Sequence, residues 1–505
     1  VRRAARARAL APTEVFGYLP SWELGGAGSI DLERLTTLAW FSLEAHPDGH
    51  LIRMTQSGAP TQGWAGWTSQ AFTDLMARAQ QAGVRVVLTV ERFAWDRAGR
   101  ERTIALLKSA SARTALVRDI VATITERGAD GVNLDVEPLP TVVRKQYTAL
   151  VRELRAAMNA VNPRLQLTVV LTPDATGYPV KALTAGDAAD AAILMGYDFR
   201  TATSPVAGSV DPLTDPDGPD LRGSVAAVLG QAPASRVILG LPWYGRAWST
   251  KGPGPGAQTR TGDAVLGSSA AVYADAVARA TQSGRLYDRT SRSAWSRYRA
   301  SPCGTCAVSW RQLWYDDVDS VRAKVGFALG KGLRGVGIWA LGYQGSGPEL
   351  WAALRLAVEG GRDSAAPSGT ATVASESILG ERDGLPLVGD VVTLDLVAGD
   401  GSTGSGVAFV RISTEGRLAR DGQLVTGVTF PATDEVRVAM PVAGPVAEVF
   451  IPGGSTSSAT PRASTSARPK GTLESGPKKV RVQWRDVAGN WSRPRVLRVF
   501  YQAGK

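Results

Sequence analysis

The stretch Asp130-Gly-Val-Asn133-Leu-Asp135-Val-Glu137-Pro holds the residues best placed to do chemistry. Side chains along a strand alternate between its two faces. One face here carries Val132, Leu134 and Val136, and the other carries Asn133, Asp135 and Glu137. A strand inside a parallel sheet should be apolar on both faces. Burying this polar row costs several kcal/mol unless it is hydrogen-bonded or put to use. The pattern points to an active site at the C-terminal end of a barrel strand. Adjacent inward positions lie about 6.6 Å apart along a strand. Asp135 and Glu137 can therefore share a hydrogen bond, but they cannot straddle a ring-sized substrate as an acid and an opposed nucleophile would. Glu137 suits a general acid, provided that its neighbours raise its pKa. Asp130 precedes glycine and is out of phase with the inward row, so it reads as a structural hydrogen-bonding residue. With His46 and His50 as the only histidines, the chain offers little for a His-based zinc site or a Ser-His-Asp triad.

The elements around this strand predict an α/β fold. Eight short apolar runs recur at 15–19, 38–43, 84–90, 131–136, 165–171, 191–197, 237–241 and 335–341. Most are separated by amphipathic helical stretches, among them 71–82, 112–126, 142–160, 224–229 and 318–329. Strand and helix repeated eight times predict a (β/α)8 TIM barrel over 14–360. The long gap at 249–317 predicts a small α+β insertion, with a helix near 270–281 and strands near 295–298 and 308–315. Residues 361–377 are rich in Gly, Ser, Ala and Thr and read as a linker. Residues 378–505 carry short alternating strands and predict an all-β, immunoglobulin-like sandwich with a hairpin turn at 485–490 and a long Ser/Thr/Pro loop at 453–466.

Composition narrows the function classes. The chain has 505 residues, 44% of them hydrophobic, which is enough for large cores and more than one domain. Its net charge is +11, spread along the sequence with clusters in the N-terminal extension 1–13 (Arg2, Arg3, Arg6, Arg8) and at Lys478, Lys479 and Arg481. No nucleic-acid-binding motif accompanies the charge. It reads as a generally basic soluble protein, with affinity for an acidic cell-wall polymer as the alternative. No apolar run reaches the roughly 18 residues of a membrane span. The chain starts at Val1, which suggests a signal peptide already removed, or else a cytoplasmic chain numbered late. Cys303 and Cys306 form no disulfide framework and lack the ligands of a zinc site. They read as a local disulfide or as two free thiols. Asp211, Asp215, Asp217 and Asp220 crowd one loop without calcium-ligand spacing and read as a solvated acidic turn.

Four motifs in order carry a resemblance to glycoside hydrolase family 18. Asp130-x-x-Asn133-x-Asp135-x-Glu137 resembles its fourth-strand DxxDxDxE signature. Met195-Gly-Tyr197-Asp198 is similar to its sixth-strand motif, and Gly17-Tyr18-Leu-Pro-Ser-Trp22 to its first strand. Trp339 in Gly-Ile-Trp-Ala-Leu-Gly resembles the eighth-strand tryptophan that floors the sugar site. The resemblance covers residues 14–358. It implies a chitinase-like or bacterial cell-wall N-acetylglucosaminidase that works by substrate-assisted retention, without a metal or organic cofactor. Glu137 would be the acid and then the base, Asp135 would orient the 2-acetamido group, and Tyr197 would hydrogen-bond it. Asn133, Asp198, Trp339, Tyr18, Trp22 and Glu91 would bind the same sugars. The implied partner is a polysaccharide such as chitin or peptidoglycan, with secretion or a cell-surface location and cell-wall association through the C-terminal domain.

Three departures from the family matter, one being a short insertion, which implies a shallower cleft. Asn133 stands where a second aspartate is usual, which predicts an altered pH profile. The third strand reads Val87-Leu-Thr-Val-Glu91-Arg-Phe in place of Ser-x-Gly-Gly, and whether Glu91 faces the site is open. Trp243, Tyr244 and Arg246 either line the cleft or pack a loop. A lectin-like barrel that only binds glycan, and an endoglycosidase on another acetamido-sugar glycan, are the alternatives to a wall- or chitin-directed enzyme.

Overall fold

In the computed structural model the described residues are 13–260, 267–301, 306–360, 363–401, 404–414, 424, 427–440, 450–451 and 474–505. Cys303, the basic residues of the N-terminal extension and the loop 453–466 lie outside them. The chain packs as two units. The first holds residues 1–199, 211–243 and 324–346, and the second holds 200–210, 244–323 and 347–505.

The first unit is a closed barrel of eight parallel strands. In chain order the first seven are β1 (Glu14–Pro20), β2 (Thr37–Glu44), β3 (Arg85–Phe93), β4 (Gly131–Glu137), β5 (Gln166–Leu171), β6 (Ala191–Met195) and β7 (Val237–Pro242). The closing strand, Gly335–Trp339, pairs with both β7 and β1. Helices connect the strands for simple local reasons. Helix Gln70–Gln81 starts where Ser69 accepts the Phe72 N–H, and it buries Phe72, Leu75, Met76 and Ala79 on one face. Helix Ala110–Arg127 is capped by Ser109 and stops at Gly128, whose φ of +67° suits glycine. At the head of β4, Gly131 has φ +156°, and a Cβ there would meet the Gln166 carbonyl oxygen at 2.0 Å. Asp130 fixes the same corner: its Oδ2 accepts from Val86 N at 2.8 Å and Gln80 Nε2 at 3.0 Å.

Asp211 departs from the reading of a solvated acidic turn. It is fully buried and bonds Lys324 at 2.7 Å, a cation far along the chain that local spacing could not reveal. Asp220 caps helix Leu221–Leu229 through the Gly223 N–H.

The second unit begins earlier than the predicted insertion. Strand β8 (Tyr244–Thr250) leaves directly after β7, and it joins β9 (Ser268–Val272), β10 (Leu286–Asp288), β11 (Ser293–Ala300) and β12 (Ser309–Tyr315) in an antiparallel sheet beside helix Tyr273–Ser283. Tyr244 and Arg246 are thus sheet residues. The closing barrel strand is β13 in chain order. Past it, Ser368–Val373 (β14) pairs with Val391–Gly399. The stretch read as a linker therefore contributes a strand, held by the ladder rather than by composition. A three-stranded and a six-stranded sheet follow. They share one apolar core around Leu394, Val410, Phe430, Val436, Val482 and Trp484.

Candidate active site

β4 carries the centre of the site. Its inward row, Asn133, Asp135 and Glu137, is 0%, 5% and 9% exposed. Thr168 Oγ1 on β5 donates to Asn133 Oδ1 at 2.8 Å, and Asn133 Nδ2 donates to Thr89 Oγ1 on β3 at 3.4 Å. The amide is thereby tied to both flanking strands. Asp135 is different: its Oδ1 is buried and has no hydrogen-bond partner among the described residues.

The register of β3 settles where Glu91 points. Thr89 lies beside Asn133, Glu91 beside Asp135 and Phe93 beside Glu137. Val87 and Phe93, in phase with Glu91, belong to the cluster inside the barrel. Arg92 has the opposite phase and donates to Glu44 Oε1 and the Ala45 carbonyl, both at 2.8 Å. Ser42 Oγ on β2 donates to Glu91 Oε2 at 2.5 Å. Three carboxyls therefore converge where sequence reasoning held two and left the third open.

Their electrostatics follow from that crowding. Burial pushes the Glu137 carboxyl up to about 7, and the charges of Glu91 and Asp198 add to it. Burial raises Asp135 well above the usual carboxylate range, reinforced by Glu137 and Glu91. Glu91 is also pushed up to about 7 by burial, with Glu44 adding while the Ser42 hydroxyl and Arg92 oppose. Burial likewise raises the phenols of Tyr18 and Tyr197, and the carboxylate charges of the site reinforce it.

Aromatic rings floor the same end of the barrel. Trp339 lies 5.7 Å from Tyr18 and 4.7 Å from Phe41, ring centre to ring centre, the latter pair edge to face. Trp22 meets Phe41 at 6.3 Å and is 51% exposed, so it offers a free face. Asp198, just past β6, is exposed and sits at φ +59°, a strained position for a residue with a Cβ. Trp243 is buried, and its backbone N–H donates to the Trp339 carbonyl at 2.6 Å. Sequence reasoning passed over Phe41 and Ser42 because the second apolar run looked like plain core. It also passed over Trp95, 65% exposed just past β3, where an aromatic outside any periodic run was the available signal.

Residues 14–344 match the family described as glycosyl hydrolases family 18. The chain belongs to this family. Among its relatives is the cortical fragment-lytic enzyme of Bacillus subtilis (strain 168), 26% identical over 329 residues, covering 63% of this chain and 67% of that protein. Chitotriosidase-1 of Mus musculus is 27% identical over 271 residues, covering 48% of this chain and 55% of that protein. The chain thus spans between about half and two thirds of these relatives' lengths. Among solved structures, a GH18 chitinase from Cycas revoluta in complex with (GlcNAc)4 superposes with a TM-score of 0.56 at 22% identity, over 69% of this chain and 99% of that one. A group IV chitinase from Ostrinia furnacalis in complex with allosamidin gives 0.57 at 20% identity, over 69% and 100%. At such identities these two likenesses establish the family-18 barrel fold alone.

Proposed function

We propose that this family-18 barrel hydrolyses β-1,4-linked, N-acetylglucosamine-containing polysaccharide of the chitin or peptidoglycan type, by substrate-assisted retention. The observation that carries the reading is the buried inward row of β4, which sets Glu137 at the strand end beside Asp135, whose Oδ1 has no hydrogen-bond partner among the described residues. The two carboxyls sit on one strand, so neither can attack the sugar from the face opposite the other. The nucleophile then comes from the substrate itself. Glu137 donates its proton to the glycosidic oxygen as the C1–O bond breaks. The acetamido carbonyl oxygen attacks C1 and forms an oxazolinium ring. Asp135 accepts the acetamido N–H and balances the positive charge, and Tyr197 hydrogen-bonds the same group. Glu137 then takes a proton from water, which opens the ring at C1 with retention. Trp339 supplies the apolar floor, while Tyr18, Trp22, Asn133, Asp198 and Glu91 line the sugar site.

A relative named for cortical fragments and another named for chitotriose support both glycan types. Cys306 is disulfide-bonded, which favours an oxidising compartment and hence secretion or a cell-surface location. No helix among the described residues is long and apolar enough to cross a membrane. The C-terminal sandwich, immunoglobulin-like in its two packed sheets, would serve wall association. Mass-spectrometric product analysis of wild type and Glu137→Gln tests the reaction, with chitin oligosaccharides, peptidoglycan and a high-mannose glycopeptide as parallel substrates. Cleavage of one substrate, lost in the variant, is the expected result. Binding without cleavage in both proteins would replace it with a lectin-like function.

A further inference from the structure

We propose that Glu91 is a positioning residue of this site: from β3 it supplies the carboxyl beside Asp135 that position 133, an asparagine, does not, and so keeps the proton on Glu137. The inference rests on the reaction proposed above. Glu91 pairs in register with Asp135 across adjacent strands, which are about 4.8 Å apart, closer than the roughly 6.6 Å between Asp135 and position 133 along β4. Its carboxyl is anchored by the Ser42 hydroxyl. The neighbouring cation, Arg92, has the opposite phase and bonds Glu44 and the Ala45 carbonyl. Asn133 is tied to Thr89 and Thr168 and carries no charge in this arrangement.

The groups that face this cluster come from several elements. Glu91 meets Ser42 and Glu44 of β2, Arg92 of its own strand, and Asp135 and Glu137 of β4. Glu137 also feels Asp198 past β6, the phenols of Tyr18 and Tyr197 feel the charge of the pair, and so does that of Tyr178, whose hydroxyl donates to the Val136 carbonyl at 2.8 Å. Three carboxyls on one buried face cannot all ionise, so each negative charge holds a proton on its neighbours. As pH rises, an ionised Glu91 delays the loss of the Glu137 proton and extends the alkaline limb of activity.

Two readouts on the full-length protein test this. The first is the pH profile of kcat/KM for wild type, Glu91→Gln, Glu91→Asp and the double variant Glu91→Gln/Asn133→Asp, on the glycan that the wild type cleaves. Glu91→Gln should move the alkaline limb down by about one pH unit, a roughly tenfold loss on that side. Glu91→Asp should restore the limb, and so should Asn133→Asp in the Glu91→Gln background. A limb that stays in place in folded Glu91→Gln, or a loss equal at every pH, overturns the proposal. The second readout needs no substrate. Carbon-13 NMR of protein labelled at glutamate carboxyls should show Glu137 titrating lower in Glu91→Gln and returning in Glu91→Asp. An unchanged midpoint overturns the proposal. A wild type that cleaves none of the glycans overturns the reaction instead, and the carboxyl titration still decides Glu91.

Discussion

At the N-terminal end of the barrel, Glu14 of β1 is buried and fully matched. Its Oε1 accepts from Thr37 Oγ1 at 3.1 Å and Gln166 Nε2 at 2.5 Å, and its Oε2 accepts from Arg334 Nε at 2.5 Å. At the C-terminal end, Glu91, Asp135 and Glu137 are crowded together, and one oxygen of Asp135 has no hydrogen-bond partner among the described residues. The same barrel carries both arrangements. Charge that is paired holds the barrel shut at one end, and in the proposed reaction the crowded carboxyls at the other end move protons. This division matches the general one in such barrels, with stability residues below and catalytic residues above.

The comparison breaks most visibly at Glu137. Glu137→Gln should lower kcat by roughly a hundredfold or more, while leaving the melting temperature equal or higher, because a like-charge contact is removed. Calorimetry beside a turnover assay reads both, and a destabilised variant would contradict the contrast. The opposite substitution comes next. Glu14→Ala should destabilise the fold by roughly 2–4 kcal/mol, since it strands Arg334, Gln166 and Thr37, yet kcat of the folded protein should hold. Denaturant titration and activity at low temperature separate the two effects.

A smaller effect concerns pH. Glu91 and Glu137 rise from 4.5 to about 7 on folding. A raised carboxyl keeps in the folded state a proton that the unfolded state releases. Stability from these groups is therefore complete below about 4.5 and declines as pH climbs through about 7. Unfolding free energies at stepped pH should show this slope, and Glu137→Gln should flatten it. The smallest expected change is at the rim. Trp22→Ala should raise KM roughly three- to tenfold with kcat nearly constant, and a fall in kcat instead would assign the ring to the reacting centre.

Much of the barrel was legible because each of its signals is local. The polar row of β4 stands out against a period of two, and the eight apolar runs map onto the eight barrel strands. What escaped depends on partners distant in sequence. Glu91 and Arg92 are adjacent charges, and only pairing with β4 and the bonds to Glu44 and Ala45 decide which one faces inward. Asp211 looked solvated because Lys324 is far along the chain. Ser368–Val373 has the composition of a tether, and it becomes a strand because a neighbouring edge needs its N–H and C=O groups. Strand β8 gives no such local signal, because Tyr244–Thr250 lacks a continuous apolar run.

In the second unit, Arg285 of the insertion bonds Asp317 at 2.7 Å and Asp319 at 2.8 Å, and Arg485 of the C-terminal sandwich bonds the same Asp319. Phe409 stacks under both guanidinium groups, and β11 pairs with the two-residue strand Phe450–Ile451. The sandwich is consequently a poor cartridge for shuffling between proteins. A shortened chain ending at residue 360 would bare half of an ion-pair cluster and an open sheet edge. Such a chain would invite self-association in storage, and a foreign sandwich grafted in its place would need to bring its own arginine to the position of Arg485.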